Sequence, residues 1–396
     1  MNFKTLHDAI NWIETQIKFT PKTDLLRMNQ AYEMLKLDFS HTLKIHVAGT
    51  NGKGSTVTYI SNILMEAGYK VGSYISPYLY KFNERIKVNF IDVSDELLLE
   101  MINEIYDFNN LYYEKHEEKL SFFELVTLMA FKHFYKEKVD AIVIEVGLGG
   151  LLDATNILNY DYSIITNIGI DHVKQLGNSL YSIASNKLGI LKENNILIST
   201  VDKDLYELFN YYTNNLNVKT YLLSEYEKKA DGFVFMGEFY KLNMAGEFQI
   251  YNSMLAIKLA KLLNIDYETI KKGLKKSYWP GRLEQIAPNI YIDGAHNISA
   301  LYALKEFFKD KEVITLFSAL ADKDIKGMLD IIKDFSKEII LTAFPDIRFE
   351  PLSNYSYEYV EDPIKAYNII KANLKPDEIL LITGSMHFIG YIRNLI

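Results

Sequence analysis

The chain has 396 residues, 48% of them hydrophobic, with a formal net charge of −8 at neutral pH and no cysteine. That length exceeds one ordinary domain, so two are expected, and the missing cysteine excludes disulfides, thiolate nucleophiles and Cys-ligated zinc. An acidic balance without a basic block argues against nucleic acid or an anionic membrane as partner, yet leaves room for a nucleotide, which needs only a local positive site.

The first segment, MNFKTLHDAINWIETQI (1–17), has the spacing of an amphipathic helix and lacks the unbroken apolar stretch of a signal peptide. No apolar run reaches the length that spans a bilayer. A cytoplasmic protein is expected.

The stretch KIHVAGTNGKGSTVTYISNILMEAGYKVGSYIS (44–76) carries the strongest local signal. Ile45 to Ala48 is too short for a helix and suits a buried strand. From Ser55, the apolar Val57, Ile60, Ile63, Leu64 and Ala67 fall on one helical face, and Gly68 supplies a stop. Between strand and helix lie Gly49, Thr50, Asn51, Gly52, Lys53 and Gly54. Such a turn aims backbone N–H groups and the positive helix end into one small space, which suits an anion. Lys53 adds a charge within reach of terminal phosphates, and Ser55 adds a hydroxyl for magnesium. The match to the strict G-x-x-x-x-G-K-[ST] loop is incomplete, with Val47 at the first glycine and Gly54 between Lys53 and Ser55. A turn that binds nothing needs one glycine and no lysine, so phosphate binding is the expected role.

Further strands are expected at 72–76, 141–147, 162–169 and 196–200, with helices over DELLLEMINEIYDFNN (95–110) and SFFELVTLMAFKHFYKE (121–137). This alternation predicts a mostly parallel sheet with helices on both faces. Residues 218–250 look like hairpins of a small β subsheet, followed by helices over 251–264 and 267–277. The Pro-Gly of YWPGR (278–282) punctuates the chain, and a strand–helix rhythm restarts at IYIDGA. The expected organisation is an α/β ATP-binding domain over 1–281 and a smaller Rossmann-like α/β domain over 282–396, with ligand bound in a crevice between them.

Several side chains stand where chemistry is expected. Glu145, inside the apolar IVIEVGLGG, is costly to bury unless it is paired or holds a cation. Asp171 and His172 follow the 162–169 strand, and His172 is either a ligand or structural. An imidazole is not a typical magnesium ligand. Lys187 falls on a helix, where a solvated lysine is the ordinary reading. Asp293 and His296 follow the first strand of the second domain, where an acid commonly accepts from a ribose hydroxyl, although Asp-Gly is also turn chemistry by itself. Arg282 at the domain junction offers a guanidinium to phosphate charge. Phe122, Phe123 and Glu124 open a nearly all-apolar helix, either as core or as a face for a flat heteroaromatic substrate.

Taken in order, these stretches resemble the folylpolyglutamate synthase / dihydrofolate synthase family, within the Mur-ligase-like superfamily of ATP-dependent amide ligases. The resemblance runs through DLLRM, HVAGTNGKGS, SP.L...ERI.V, FFE..T..AF, EVGLGG..DATN, ITNIG.DH, K.GI.K, WPGRLE, DGAHN, DKD and TGS. It implies that Gly49 to Ser55 hold the triphosphate and that Ser76, Glu145 and His172, with Ser55, hold magnesium. It implies ATP contacts for Asn252, Arg282 and Asp293, a place in the cleft for His296, and a carbamate on Lys187. Three positions depart from the family pattern: Leu151 where Arg is frequent, Asn186 where Glu is usual, and Ile298 where Pro is usual. The implied reaction adds L-glutamate to a folate or dihydropteroate carboxylate through an acyl phosphate, with Lys53, Lys187 and His296 as catalytic residues and Phe122, Phe123 and Glu124 toward the folate. A monomer acting on small molecules is expected. The alternatives are a peptidoglycan-precursor ligase with the same chemistry on a UDP-linked acid, which the folate-type motifs disfavour, and a nucleotide-hydrolysing regulatory protein without ligation.

Overall fold

The computed structural model describes residues 3–17 and 23–396. Met1 and Asn2 of the expected first helix lie outside the described residues. The helix itself spans Leu6–Glu14, with the Thr5 side chain accepting from the Asp8 N–H at its start, which satisfies one of the otherwise unpaired first-turn donors.

Eight strands among the described residues form the large sheet: β1 (Leu43–Ala48), β2 (Val71–Tyr74), β3 (Ile86–Val88), β4 (Ile91–Asp92), β5 (Ala141–Glu145), β6 (Tyr162–Ile165), β7 (Ile196–Ser199) and β8 (Lys219–Leu222). Their order is β4-β3-β2-β5-β1-β6-β7-β8. The strands from β2 through β8 pair in parallel, and β3 and β4 add an antiparallel edge. Every residue of β5 is buried, as expected of a strand covered by helices on both faces. The register sets Val47 beside both Glu145 and Ile164. The carboxyl ends of β1, β5 and β6 therefore reach the same edge of the sheet, where ligands of such sheets bind.

The helix Lys53–Glu66 is buried without a break from Ser55 to Leu64. Val57, Ile60, Ile63 and Leu64 are all within 1% of complete burial, each stabilising by about 1.5–3 kcal/mol. The strand expected at 162–169 stops at Ile165, and Thr166 instead donates its N–H to Ala48 O. The expected 218–250 hairpins are in part something else. β8 joins the large sheet in parallel with β7, after the helix Tyr206–Asn215 has carried the chain across. A parallel neighbour requires such a crossover, whereas a hairpin does not. The small subsheet is antiparallel and consists of β9 (Glu227–Lys229), β10 (Gly232–Phe235) and β11 (Glu238–Tyr240).

The chain divides into two compact units. One comprises the described residues up to Ile168 with 172–241 and 251–276, and the other comprises 169–171, 242–250 and 277–396. The second unit holds β12 (Glu284–Ala287), β13 (Ile290–Asp293), β14 (Glu312–Phe317), β15 (Ser336–Leu341), β16 (Glu358–Tyr359) and β17 (Glu378–Thr383), in the order β12-β13-β17-β14-β15-β16. β12 is an antiparallel edge on β13, and the remaining pairs are parallel. Its core is built on Leu301, Leu304, Phe308, Phe317, Met328, Ile332 and Leu381, with Ala245 and Phe248 of the 242–250 segment packed against it. No helix of the described residues is long and apolar enough to cross a membrane.

Candidate active site

The turn after β1 has the geometry that its sequence suggests. Gly52, with φ of 84°, directly precedes the helix and offers no side-chain cap. A Cβ on it would come 2.2 Å from Asn252 Oδ1, and one on Gly49 would come 1.8 Å from Thr166 Oγ1. Neither position tolerates a side chain without displacing a neighbour. The segment after β6 shapes the loop: Thr166 Oγ1 donates to Asn51 O at 2.5 Å, Thr50 N–H to Asn167 O at 2.9 Å, and Asn51 N–H to Asn167 Oδ1 at 2.8 Å. Thr166 and Asn167 are thus part of the loop's construction, in the ITNIG stretch whose importance the sequence shows but whose purpose it hides.

Two lysines meet this loop. Lys53 Nζ lies 3.2 Å from Gly49 O and 3.4 Å from Thr50 O, folded back on the turn. Lys187, only 4% exposed, donates from Nζ to Gly49 O at 2.9 Å. The solvated-lysine alternative does not hold for Lys187, which reaches the loop from the helix Leu180–Leu188.

Glu145 ends β5, is 4% exposed, and accepts the Ser76 N–H at 3.1 Å. Ser55 is buried in the first turn of the helix that follows the loop. A carboxylate with serine hydroxyls is the oxygen donor set that a hard cation such as Mg²⁺ takes, usually with waters and substrate phosphates completing it. These residues fit that ion. His172 has a left-handed backbone, φ 51°, and precedes the short helix Val173–Leu176. Among the described residues no three His, Cys, Asp or Glu side chains form a metal-holding cluster.

The helix Phe122–Lys136 begins with the three residues expected to face a heteroaromatic substrate. Phe123 packs on the glycine segment after β5, since a Cβ on Gly147 would come 2.3 Å from its Cζ. Phe122 lies 5.4 Å from the Arg85 guanidinium, which also stands over Tyr78 and Phe82. Arg85 is buried, and desolvation draws its pKa down while the fields of Tyr74, Tyr78, Glu14 and Glu145 oppose that shift. Arg85 stands in the ERI stretch of the sequence, where a lone Arg carries no local sign of burial. Glu124 is 1% exposed and takes part in a capping box, accepting the Ser121 N–H and hydroxyl at 2.8 Å each. It also holds Arg27 at 3.0 Å.

In the second unit Asp293, at the end of β13, accepts from Leu283 N–H at 2.7 Å and Ala295 N–H at 2.8 Å. Burial raises its pKa, opposed by Arg282 and those two N–H groups. Arg282 Nη1 also lies beside Gly294, 3.1 Å from where a Cβ would stand. His296 Nδ1 is 2.8 Å from Gly294 O, so Nδ1 carries the proton, and its Nε2 is 3.7 Å from Asp171 Oδ2. Asp171 in turn holds Lys323 at 3.1 Å and Asn297 Nδ2 at 3.1 Å. The sequence named Asp171 and the DKD triplet separately, and folding joins them. Asn252 belongs to the first unit and lies under Gly52.

Residues 47–260 match the model of the Mur ligase middle domain, and 281–386 match that of the Mur ligase glutamate ligase domain. A dihydrofolate synthase/folylpolyglutamate synthase of Bacillus subtilis is 34% identical, with 99% of both chains covered. The chain belongs to the folylpolyglutamate synthase / dihydrofolate synthase family. As a member of that family it is an ATP-dependent carboxylate–amine ligase. A folylpolyglutamate synthase of Lacticaseibacillus casei is 30% identical over 88% of this chain and 89% of its own. The structure of Mycobacterium tuberculosis folylpolyglutamate synthase complexed with ADP and AMPPCP aligns with a TM-score of 0.89 at 25% identity, covering 98% of each chain.

In this ligase the departures from the family pattern have local accounts. Asn186 Oδ1 lies against Gly149, 2.3 Å from where a Cβ would stand, so the shorter amide packs on the loop. Leu151 is exposed and donates its N–H to Asn186 O at 2.9 Å, a bond that any residue there could make. Ile298 opens the helix Ile298–Phe307, whose start is capped by the Asn297 side chain, so proline is dispensable there.

Proposed function

We propose that the chain adds L-glutamate to the carboxylate of a folate or dihydropteroate, with cleavage of ATP and an acyl-phosphate intermediate. The observation that carries this is the loop after β1. Its glycines leave no room for side chains, its helix start has no side-chain cap, and Lys53 reaches over it. That arrangement suits a triphosphate.

A carboxylate is inert toward amines, so its oxygen must first take the γ-phosphoryl group. The backbone N–H groups of Gly49 to Ser55 and the Lys53 ammonium counter the charge that moves onto the γ-phosphoryl oxygens. Lys53 leaves the Gly49 and Thr50 carbonyls to do so. Ser55, Ser76, Glu145 and His172 would hold magnesium, which would supply further neutralisation of phosphate charge. The glutamate amine then attacks the acyl phosphate, the amide bond forms, and inorganic phosphate leaves. No covalent enzyme nucleophile is needed. We assign nucleotide binding to the unit that holds β1 and the phosphate loop and the ligase role to the unit that holds β12 to β17, with Asn252, Arg282 and Asp293 contacting ATP. His296, neutral at physiological pH, accepts a hydrogen bond at Nε2. Phe122 and Phe123 lie toward the folate. Once its bond to Gly49 O is released and its ammonium has given up a proton to solvent, the Lys187 amine takes up CO₂ and loses a second proton to become a carbamate. The protein acts as a cytoplasmic monomer.

The test is incubation with ATP, L-glutamate and, in separate reactions, dihydropteroate, a reduced folate or a UDP-linked peptide acid, read by product mass and released phosphate. A mass gain of one glutamate residue on a pteroate is expected. Ligation only of the UDP-linked acid, or phosphate release with every acceptor unchanged, would overturn the reading.

A further inference from the structure

His46 has no part in the chemistry above, yet it is fully buried in β1, three residues before Gly49. Its ring stacks on Tyr160, with centroids 4.1 Å apart and planes 14° from parallel. Nε2 lies 2.7 Å from Thr155 Oγ1, and that oxygen lies 2.5 Å from Asp153 Oδ1. The direction of these bonds follows from the groups. A carboxylate only accepts, so the single hydroxyl proton of Thr155 goes to Asp153. The Thr155 oxygen is then the acceptor, and His46 donates from Nε2–H. Its other nitrogen, Nδ1, is buried without a partner. Protonation there would bury an uncompensated charged N–H, and burial together with Lys192 holds the imidazole well below its ordinary pKa.

Asp153 takes the Leu148 N–H at 2.9 Å on one oxygen and the Thr155 N–H at 3.0 Å on the other, drawing the segment between them closed. Gly149 and Gly150 in that segment lie on the end of the helix Leu180–Leu188. A Cβ on Gly150 would come 2.9 Å from the carbonyl oxygens of Asn186 and Lys187. Lys187 then donates to Gly49 O. The path starts on β1 at His46, crosses two loops and a helix end, and returns to the residue after β1.

We propose that His46 is a positioning residue of this ligase: through Thr155 and Asp153 it holds the Gly147–Gly150 segment where that segment sets Lys187 against the phosphate loop. This rests on the ligase reading of the same site.

Two variants separate this role from space filling. His46→Phe keeps a ring for Tyr160 and removes the donor. His46→Gln loses the ring and restores an N–H at a reach similar to Nε2. A purely packing role makes Phe the better replacement, whereas the relay makes Gln the better one. The expected result is a fall of about tenfold or more in kcat for His46→Phe, with most of the rate recovered in His46→Gln. Thr155→Val should reproduce the loss, and the double variant His46→Phe/Thr155→Val should add little to it, because the two residues act in one chain. A near-normal His46→Phe enzyme, a His46→Gln enzyme slower than it, or additive losses would overturn the proposal. Imidazole ¹⁵N signals of the unaltered protein provide a readout independent of activity. They should show the Nε2–H tautomer, with no titration between pH 5 and 8 on the ordinary histidine range. An Nδ1–H tautomer or a midpoint near the usual value would overturn the relay even in an active ligase. Should the unaltered protein fail to ligate glutamate while those signals show Nε2–H, the ligase reading falls alone. The Phe-against-Gln order is then read in ADP affinity.

Discussion

Lys53 and Lys187 share one acceptor, the carbonyl of Gly49, and for Lys53 the sequence and the structure give different parts of the argument. The Gly-Lys spacing pointed to phosphate, and the fold shows the ammonium parked on the loop's own carbonyls. Lys53→Ala should leave the fold intact and lower the ligation rate by about 10²–10³-fold, because the charge it counters grows in the transition state. Steady-state kinetics on a variant with an unchanged melting temperature checks this, and near-normal turnover would remove the phosphate-loop assignment. Lys187 was less legible, since helical spacing says nothing about which carbonyl a side chain will meet. His296 yields a prediction that needs the structure alone. Burial and Lys323 push its pKa down to about 4 against the pull of Asp171, while an unfolded histidine titrates near its ordinary value of about 6.5. Between those values the unfolded chain binds the extra proton, so stability falls as pH drops from about 6.5 toward 4 and is fully present above that window. His296→Gln should flatten this slope. Urea unfolding at pH 7, 5.5 and 4.5 measures it, and parallel curves for variant and parent would contradict the placement.

At the scale of elements, the helix Phe122–Lys136 shows how a correct boundary can hide an ambiguous side chain. Its apolar run and Ser121 start were plain in the sequence, because periodicity and a capping box are local properties. What Glu124 faces was not, since Arg27 lies far away along the chain. In the structure that carboxylate closes the cap and holds Arg27. Glu124→Gln should therefore destabilise the protein, by about 3 kcal/mol if the buried pair behaves as a typical one. Arg27→Met combined with it should recover part of the loss. Denaturant titration checks both. A Glu124→Gln protein of unchanged stability with a raised KM for the pteroate would instead favour a substrate-facing role. The same local limit explains β8 and β12. Each strand was too short to announce its partner, and only the crossover helix Tyr206–Asn215 and the β13 pairing decide where they belong.

Over the whole molecule, the alternation of strands and helices was enough to reveal two α/β units, because a parallel sheet needs that rhythm throughout. It did not reveal that 242–250 belongs with the later one, since Ala245 and Phe248 join its core through contacts distant in sequence. A fragment of residues 282–396 should therefore bind a hydrophobic dye and melt below the intact protein, having lost part of its core cover. A dye-silent fragment with an unchanged melting point would show that 242–250 is dispensable. The large sheet has one further consequence, for the order in which the protein is made. Among the described residues β1 pairs only with β5 and β6, and β2 meets β1 only through β5. The strand that feeds the phosphate loop therefore leaves the ribosome with no neighbour, and it waits for β5, about a hundred residues later, for roughly 5–20 s at ordinary rates of synthesis. Through that interval Ile45, Val47 and Ala48 are an unsheltered apolar edge. This topology predicts that the edge stays open to other chains, except where the helices made in between cover it, until β5 arrives to fill the centre of the sheet.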